Sequence, residues 1–303
     1  MLNGLDRRLI VALQNEGRVT NVELAKRVGS HVSTVKKKVN QLEDRGLVKV
    51  RALPNPFKLG YKAHALIAIK ADSLSIDNIC ESLGTYFHVN LIVTTFGRYD
   101  ILAMTYYPTW EDLLTMLSTV LPGLDGIKLV DTFMVKEITK RQYSFSGAEG
   151  EPVKIDEIDQ TLIEMLTKDG RLTYRQLAQK LEISPATCLR RVSRLLEEKV
   201  IEIRGVPYMS KIESVSNAFM FLQVDPQKLE TVCDVIGGCE EAFLCMTMIN
   251  GYSLVIGLHA ENTENLFGIK KKILSLEGVI EGEIIVRAEI KKRYYGGFLK
   301  KQE

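Results

Sequence analysis

Two copies of one α+β unit, each a helical head followed by a mixed sheet domain, are what the sequence predicts, on three observations. The first is an internal repeat. Residues 6–48 align with 159–201 without a gap at an offset of 153, with 12 of 43 positions identical, among them Leu9/Leu162, Gly17/Gly170, Arg18/Arg171 and Ala25/Ala178. The offset continues through Asp72/Asp225, Cys80/Cys233 and Tyr99/Tyr252. It then slips by one residue to match Gly126 with Gly278 and Lys140-Arg141 with Lys292-Arg293. The second is a change of apolar period within each copy, from helical to strand-like. The third is composition. At 303 residues, 46% hydrophobic and 26% charged, the chain is long enough for two to four domains of about 100–200 residues and is not broadly disordered.

The elements follow in order. Leu5, Leu9, Ile10 and Leu13 lie on one face of a first helix that Gly17 ends. Thr20 caps a second, with Glu23 at the capping-box position. After a turn at Gly29, a third helix runs to about Asp44 with Val32, Val35, Val39 and Leu42 inward, and Gly46 stops it. In the second copy Ser184-Pro185 is a strong helix start. Short strands at 48–53 and 201–206 supply a wing. Ala25 and Val35 around Gly29 have the spacing of a helix–turn–helix, and Ala178 and Cys188 keep those places. Glu182 stands where the turn glycine is expected, which puts that turn's geometry in question.

The second part of each copy reads strand 63–71, helix 76–83, strands 87–95 and 99–106, helix 109–121 and strand 127–138. It is mirrored at 218–224, 229–236, 242–249, 252–259, 262–276 and 279–291. The order βαββαβ predicts a ferredoxin-like split-βαβ domain. The expected divisions are a winged helix–turn–helix at 1–53, a βαββαβ domain at 54–141, a Ser/Gly/Pro linker at 142–153, a second winged head at 154–207 and a second βαββαβ domain at 208–303.

Composition also excludes. Five cysteines with no C-x-x-C pair exclude a disulfide framework and a zinc knuckle, and point to free thiols in a reducing, cytoplasmic setting. The first residues are charged too early for a secretory signal. The uncharged run 242–260 is broken by Asn250-Gly251-Tyr252-Ser253, which reads as a turn between strands, so no membrane span is expected. His31, His64, His88 and His259 are scattered and no metal spacing, nucleophile elbow or phosphate loop occurs. No catalytic residue, metal or cofactor is therefore expected. His31 suits a helix cap, and Cys80 and Cys233 suit buried small hydrophobes.

The third helix of each copy carries the functional signal. In copy 1 it holds Ser33, Thr34, Lys36, Lys37, Lys38 and Asn40, and in copy 2 Thr187, Arg190, Arg191 and Arg194. Lys and Arg neutralise phosphates, while Arg and Asn read base edges. The charge is unequal. Residues 1–53 hold 11 basic against 5 acidic side chains, residues 154–207 hold 10 against 9, and residues 54–140 and 208–303 are each net −2. Double-stranded DNA is the expected partner, with the first head supplying most of the salt-dependent affinity.

The run Leu181-Glu182-Ile183-Ser184-Pro185-Ala186-Thr187-Cys188-Leu189-Arg190-Arg191-Val192 closely resembles the recognition region of Lrp/AsnC (feast/famine) regulators. So do the openings at Leu5–Ile10 and Ile158–Ile163. The turn Gly97-Arg98-Tyr99-Asp100 looks like the one in that family's RAM-type ligand domain. The resemblance covers nearly the whole chain, twice, whereas a usual member is a single unit that dimerises. It implies a transcriptional regulator that self-associates through its βαββαβ domains and binds a small effector, typically an amino acid, between subunits. By position the effector residues are Gly97, Tyr99 and Asp100, with Gly251, Tyr252 and Ser253 in copy 2. The same residues equally suit a plain β-turn. Two alternatives stay open. One is an enzyme similar to siroheme decarboxylases, which share this architecture, with His88 and Tyr99 offered to the macrocycle. The other is a degenerate architectural DNA-binding or partner-binding protein, since the second head is nearly neutral and Glu197-Glu198 ends its recognition helix with acids where the helix dipole prefers cations, which suits docking a protein or a weak second contact.

Overall fold

The computed structural model describes residues 2–141, 151–208 and 216–293. Most of the joining segment 142–153 lies outside the described residues. The chain forms two compact units that cut across the repeat. Met1–Asn55 and Val153–Ser214 make one, and the two βαββαβ domains make the other.

In the first unit each head is three helices and a strand: α1 (Gly4–Asn15), α2 (Asn21–Val28), α3 (Val32–Asp44) and β1 (Val48–Pro54), then α6 (Glu157–Lys168), α7 (Tyr174–Lys180), α8 (Pro185–Glu197) and β6 (Ile201–Pro207). The wings pair with each other, antiparallel, with Arg51 opposite Arg204. Each first helix packs on the other copy's wing, α1 on β6 and α6 on β1. The approach is close. A Cβ on Gly17 would lie 2.8 Å from the Arg204 Cα, and one on Gly170 2.8 Å from the Arg51 Cα. The Gly17 N–H donates to the Ile203 carbonyl at 3.0 Å and the Gly170 N–H to that of Val50 at 2.9 Å. These two glycines therefore do more than end helices; they let the heads join.

The turn in question is formed. Gly29 has φ +62° and Glu182 reaches φ +54°, and the bond from Ser30 N–H to the Ala25 carbonyl (3.0 Å) recurs from Ile183 to Ala178 (3.1 Å). Lys199, at φ +55°, likewise takes the left-handed place of Gly46, at +61°.

The second unit contains β2 (Ala63–Ala71), α4 (Ile76–Thr85), β3 (Val89–Phe96), β4 (Ile101–Tyr107), α5 (Trp110–Thr115) and β5 (Ile127–Arg141). Copy 2 supplies β7 (Ser216–Val224), α9 (Leu229–Gly238), β8 (Ala242–Met248), β9 (Leu254–Ala260), α10 (Thr263–Leu274) and β10 (Val279–Arg293). The helix expected over 109–121 changes pitch after Thr115 into a π segment and a short 3₁₀ turn at Leu121–Gly123, because Pro122 lacks the N–H that α geometry needs. β5 and β10 are each 15 residues long, longer than expected, because each serves two sheets. β5 pairs first with β2 and then with β8 of the other copy; β10 pairs first with β7 and then with β3. The result is a closed eight-stranded barrel without a free edge. The pairing that the resemblance assigns to two subunits is thus made within one chain.

One sheet face of each copy packs under its own helices: Ile67, Ile69, Cys80, Leu83, Ile92 and Ile101 in copy 1, Met220, Leu222, Cys233, Cys245 and Ile256 in copy 2. The alternate residues face the barrel interior. Phe133 and Phe221 meet there with centroids 5.6 Å apart, and Phe219 and Phe243 at 6.2 Å. The lysines of the repeated Lys-Arg motif close the barrel reciprocally. Lys292 Nζ donates to the Gly84 and Tyr86 carbonyls at the end of α4, at 2.9 and 2.8 Å. Lys140 donates to the Cys239 carbonyl at the end of α9. Each copy's last strand so caps a helix of the other, where orphan carbonyls and the helix dipole favour a cation.

Candidate nucleic-acid interface and effector turn

The exposed face of α3 presents Ser33, Thr34, Lys36, Lys37 and Asn40, all solvent-exposed; Val32, expected inward, is exposed as well, because it sits in the first turn, before the helix meets its neighbours at Val35. His31 is the N-cap residue, exposed and without a side-chain capping bond. Lys38 is different: its Nζ lies 3.1 Å from Asp6 Oδ1, an acid whose side chain is 5% exposed. Asp6 also closes the capping box of α1, its Oδ2 accepting the Asn3 N–H at 3.0 Å. Lys38 thus anchors the recognition helix to the first helix.

Head 2 elaborates the same anchor. Arg191, at the repeat position of Lys38, donates to Asp159 Oδ1 at 2.9 Å and to Asp156 at 2.9 and 2.8 Å. Arg194 donates to the other Asp159 oxygen. Asp159 is 2% exposed, so this is a nearly buried carboxylate held by two guanidiniums. Hydrogen bonds to Asp159 and Asp156 push the Arg191 guanidinium further up. The Asp159 N–H and Arg191 hold the Asp156 carboxyl below its usual range. Arg190 projects outward and exposed, and Thr187 is half-buried beside the Ser184 cap. Of the ten expected contacts, Lys38, Arg191 and Arg194 therefore have partners inside their own heads. Counting charge along the sequence missed this. The signal that would have found it is Asp6/Asp159, an identical acid within each apolar first helix.

The expected effector turn lies between β3 and β4. Gly97 has φ +132° and sits at the exposed tip. Tyr99 is fully buried and donates to Asp131 Oδ2 at 2.6 Å. Burial, then that bond, pushes its hydroxyl well above the usual phenol value. Asp100 is committed: Oδ1 accepts from Lys70 Nζ and Oδ2 from the Ala71 N–H, both at 2.9 Å. In copy 2 the hydroxyl of Ser253 takes the place of that carboxylate, accepting the Val224 N–H at 3.0 Å and contacting Gln223 at 3.0 Å. The substitution is coordinated, since Lys70/Asp100 becomes Gln223/Ser253 around the same turn.

The two turns meet across the copies. Tyr252 donates to Glu283 as Tyr99 does to Asp131, and burial, then that partner, pushes its hydroxyl up to about 12. Arg98 reaches both sides, 3.2 Å from the Tyr252 hydroxyl, 3.7 Å from Asp131 and 3.6 Å from Glu283. Gly251 stands at the repeat position of Arg98, where a Cβ would lie 2.7 Å from the Phe133 ring. Asn250 accepts from the Met134 N–H at 2.7 Å and donates to the Thr132 carbonyl at 2.8 Å.

His88 and Tyr99 do not converge. They stand at opposite ends of the β3–β4 hairpin, about 25 Å apart along the strand, with His88 packed against Tyr61, Phe87 and Tyr107. Burial lowers its pKa. His64 and His259 are sheet residues, as expected, stacked on Tyr106 and Phe243.

Residues 2–49 and 155–202 match the winged helix–turn–helix DNA-binding family model, once per head, which defines the chain as a helix–turn–helix DNA-binding protein. The HTH-type transcriptional regulator PH0140 of Pyrococcus horikoshii, itself uncharacterized, is 30% identical over 144 residues, spanning 47% of this chain and 91% of that protein. The HTH-type transcriptional regulator FL11 of Pyrococcus abyssi is 30% identical over 128 residues, 41% of this chain and 85% of its own length. The chain belongs to the HTH-type transcriptional regulators of Lrp/AsnC type, as a tandem member: each relative spans about one of its two copies. Over its whole length the fold is similar to the crystal structure of the siroheme decarboxylase NirDL in complex with an iron-uroporphyrin III analogue. The TM-score is 0.69 at 17% identity, covering 96% of this chain and 93% of that one. At that identity the likeness is one of fold. Among the described residues no helix is long and apolar enough to cross a membrane.

Proposed function

We propose that this regulator reads an operator of two unlike half-sites, with head 1 as the main reader and head 2 as the weaker contact. The observation that carries this is the fate of the basic side chains. Lys36 and Lys37 have no carboxylate within ion-pair distance among the described residues, while Arg191 and Arg194 are held by Asp159, leaving Arg190 outward. Ser33, Thr34, Asn40 and Thr187 complete the reading faces. A salt series with the full chain and its own upstream region tests it. Lys36→Ala/Lys37→Ala should lower the salt slope by about 1.8 and Arg190→Ala by about 0.9. Equal slopes, or a footprint of identical half-sites, would sink the asymmetry. Salt-sensitive binding without a footprint would make the protein architectural.

An amino acid or related small metabolite is the proposed effector, bound at the turns carrying Gly97, Tyr99 and Asp100 in copy 1 and Gly251, Tyr252 and Ser253 in copy 2. What supports it is that the two turns meet at the copy–copy junction. With both Asp100 oxygens engaged and the Tyr99 hydroxyl donated to Asp131, copy 1 offers the backbone of the turn rather than a free carboxylate. A thermal-shift screen of the amino acids tests it, and no shift with any of them would remove the effector. The decarboxylase reading is not adopted: His88 and Tyr99 share no site, and the aromatic side chains Phe133, Phe219, Phe221 and Phe243 occupy the barrel interior, so the residues do not fit a tetrapyrrole. A Soret shift on adding siroheme would reverse that choice.

A further inference from the structure

Between the two heads lies an open cavity of about 480 Å³, walled by residues 17–21 of copy 1 and 171–174 of copy 2. Its two walls are the same segment of each copy, the turn that leads from the first helix of a head into the second. Arg171, in one wall, pairs with Glu43 at 2.9 Å. Glu43 follows Lys36 by seven residues, two turns along the same side of α3. The cavity therefore adjoins the edge of the DNA-reading face.

The opposite wall holds Arg18. Its Nε and Nη2 donate to the carbonyls of Gly170 and Leu172, both at 2.9 Å, and its guanidinium lies over the Tyr174 ring at 5.0 Å. These partners orient the group without neutralising it, because neither hydrogen-bond partner is a carboxylate. A guanidinium has five N–H donors, so three remain. The copies differ at this point. Arg171 has Glu43, whereas Leu196 occupies the repeat position of Glu43, so Arg18 has no corresponding acid. The N-terminus of α2, through Asn21 just after the Thr20 cap, opens on the same cavity and adds a partial positive charge. A half-buried guanidinium, pre-oriented by backbone and left with spare donors, is suited to an oxyanion.

We infer that this cavity holds a backbone phosphate of the DNA stretch between the two half-sites, with Arg18 as its principal ligand. The inference rests on the DNA-binding reading. A duplex that presents successive major grooves to two recognition helices turns the intervening minor groove, with its phosphates, toward the ground between them. Arg18 would act on any sequence there, since phosphates carry position and no base identity.

The test uses the full chain and a duplex of about 40 base pairs that the wild-type chain selects from a random pool, long enough for both half-sites. Arg18→Gln removes the charge but also loosens the heads. Asn21→Glu is therefore the second variant. It places a carboxylate in the cavity at the first position of α2, where the helix dipole favours an acid, so the melting temperature should hold or rise. Both variants should lower the salt slope by about 0.9 or more. Ethylation of mid-site phosphates should block wild-type binding and leave the residual binding of Asn21→Glu unaffected. If the wild type binds with a steep slope and Asn21→Glu matches it, the cavity holds no phosphate and only this inference falls. The same holds if Arg18→Gln alone weakens binding together with a lowered melting temperature. If the wild type does not bind DNA at low salt, the DNA-binding reading falls and takes the inference with it.

Discussion

Head 1 and head 2 share a scaffold and spend their charge differently. Both bury an acid in the first helix, Asp6 and Asp159, and both tie the recognition helix to it. Head 1 uses one lysine for the purpose and leaves Lys36 and Lys37 to solvent. Head 2 uses two arginines and adds a second acid, Asp156, where head 1 has Asn3. The difference teaches that a basic recognition helix is not a measure of available charge. The βαββαβ copies show the same divergence under constraint. A Lys70/Asp100 pair becomes Gln223/Ser253 without altering the turn, and one arginine, Arg98, faces two tyrosine–carboxylate pairs.

The largest expected effect lies where the heads do not differ. Gly17→Val and Gly170→Val each force a side chain into the opposite wing backbone, and each should cost about 2–3 kcal/mol, read as a shifted urea midpoint. Unequal losses would show that the two approaches are not equivalent. Next comes the anchor. Asp159→Asn strands Arg194 and leaves Arg191 with Asp156 alone, and should cost about 2 kcal/mol, against about 1 for Asp6→Asn, which strands one lysine. Acid sharpens that contrast. The Asp156 carboxyl lies below its usual value in the folded head, so the stability it contributes is present above about pH 3.9 and is lost as pH falls through the depressed folded value. Asn3 has no such group. Asp156→Asn should flatten this part of the acid-unfolding curve, and an unchanged curve would detach Asp156 from the anchor. Smaller again, Lys140→Met and Lys292→Met should each cost about 1 kcal/mol and speed amide exchange in β5, β8, β3 and β10. Faster exchange confined to one copy would refute the reciprocal capping.

Much of this was legible in the repeat. Apart from the change of pitch after Thr115, apolar spacing and turn residues placed the helices and strands of the described residues in both copies, because those signals are local. Cross-copy pairing was not, since a strand reads alike whatever lies beside it. Only the excess length of β5 and β10 and the repeated Lys140 and Lys292 betray their second partners. The exposed basic face of the third helices was legible at Lys36, Lys37 and Arg190. At Lys38, Arg191 and Arg194 it was not, because each pairs with an acid at least 32 residues earlier in the chain. The engagement of Asp100 was hidden for the same reason: its partners Lys70 and Ala71 sit on another strand.

The smallest effect tests whether head 2 is a strained version of head 1. Gly29 and Gly46 take left-handed backbone at no steric cost, while Glu182 and Lys199 adopt the same conformation with a Cβ. That conformation costs an L residue about 1–2 kcal/mol, offset in part by the greater chain entropy a glycine loses on folding. Glu182→Gly and Lys199→Gly should therefore each stabilise the protein by about 0.5–1 kcal/mol. Their effects should add, since the turns lie at opposite ends of α8, about 20 Å apart. Both side chains are exposed, so lost contacts should not hide the gain. The reverse exchange, Gly29→Glu, should destabilise head 1 by about 1 kcal/mol. If both glycine variants of head 2 melt at or below the wild type, the two side chains make contacts that outweigh the strain, and the heads differ by more than their charges.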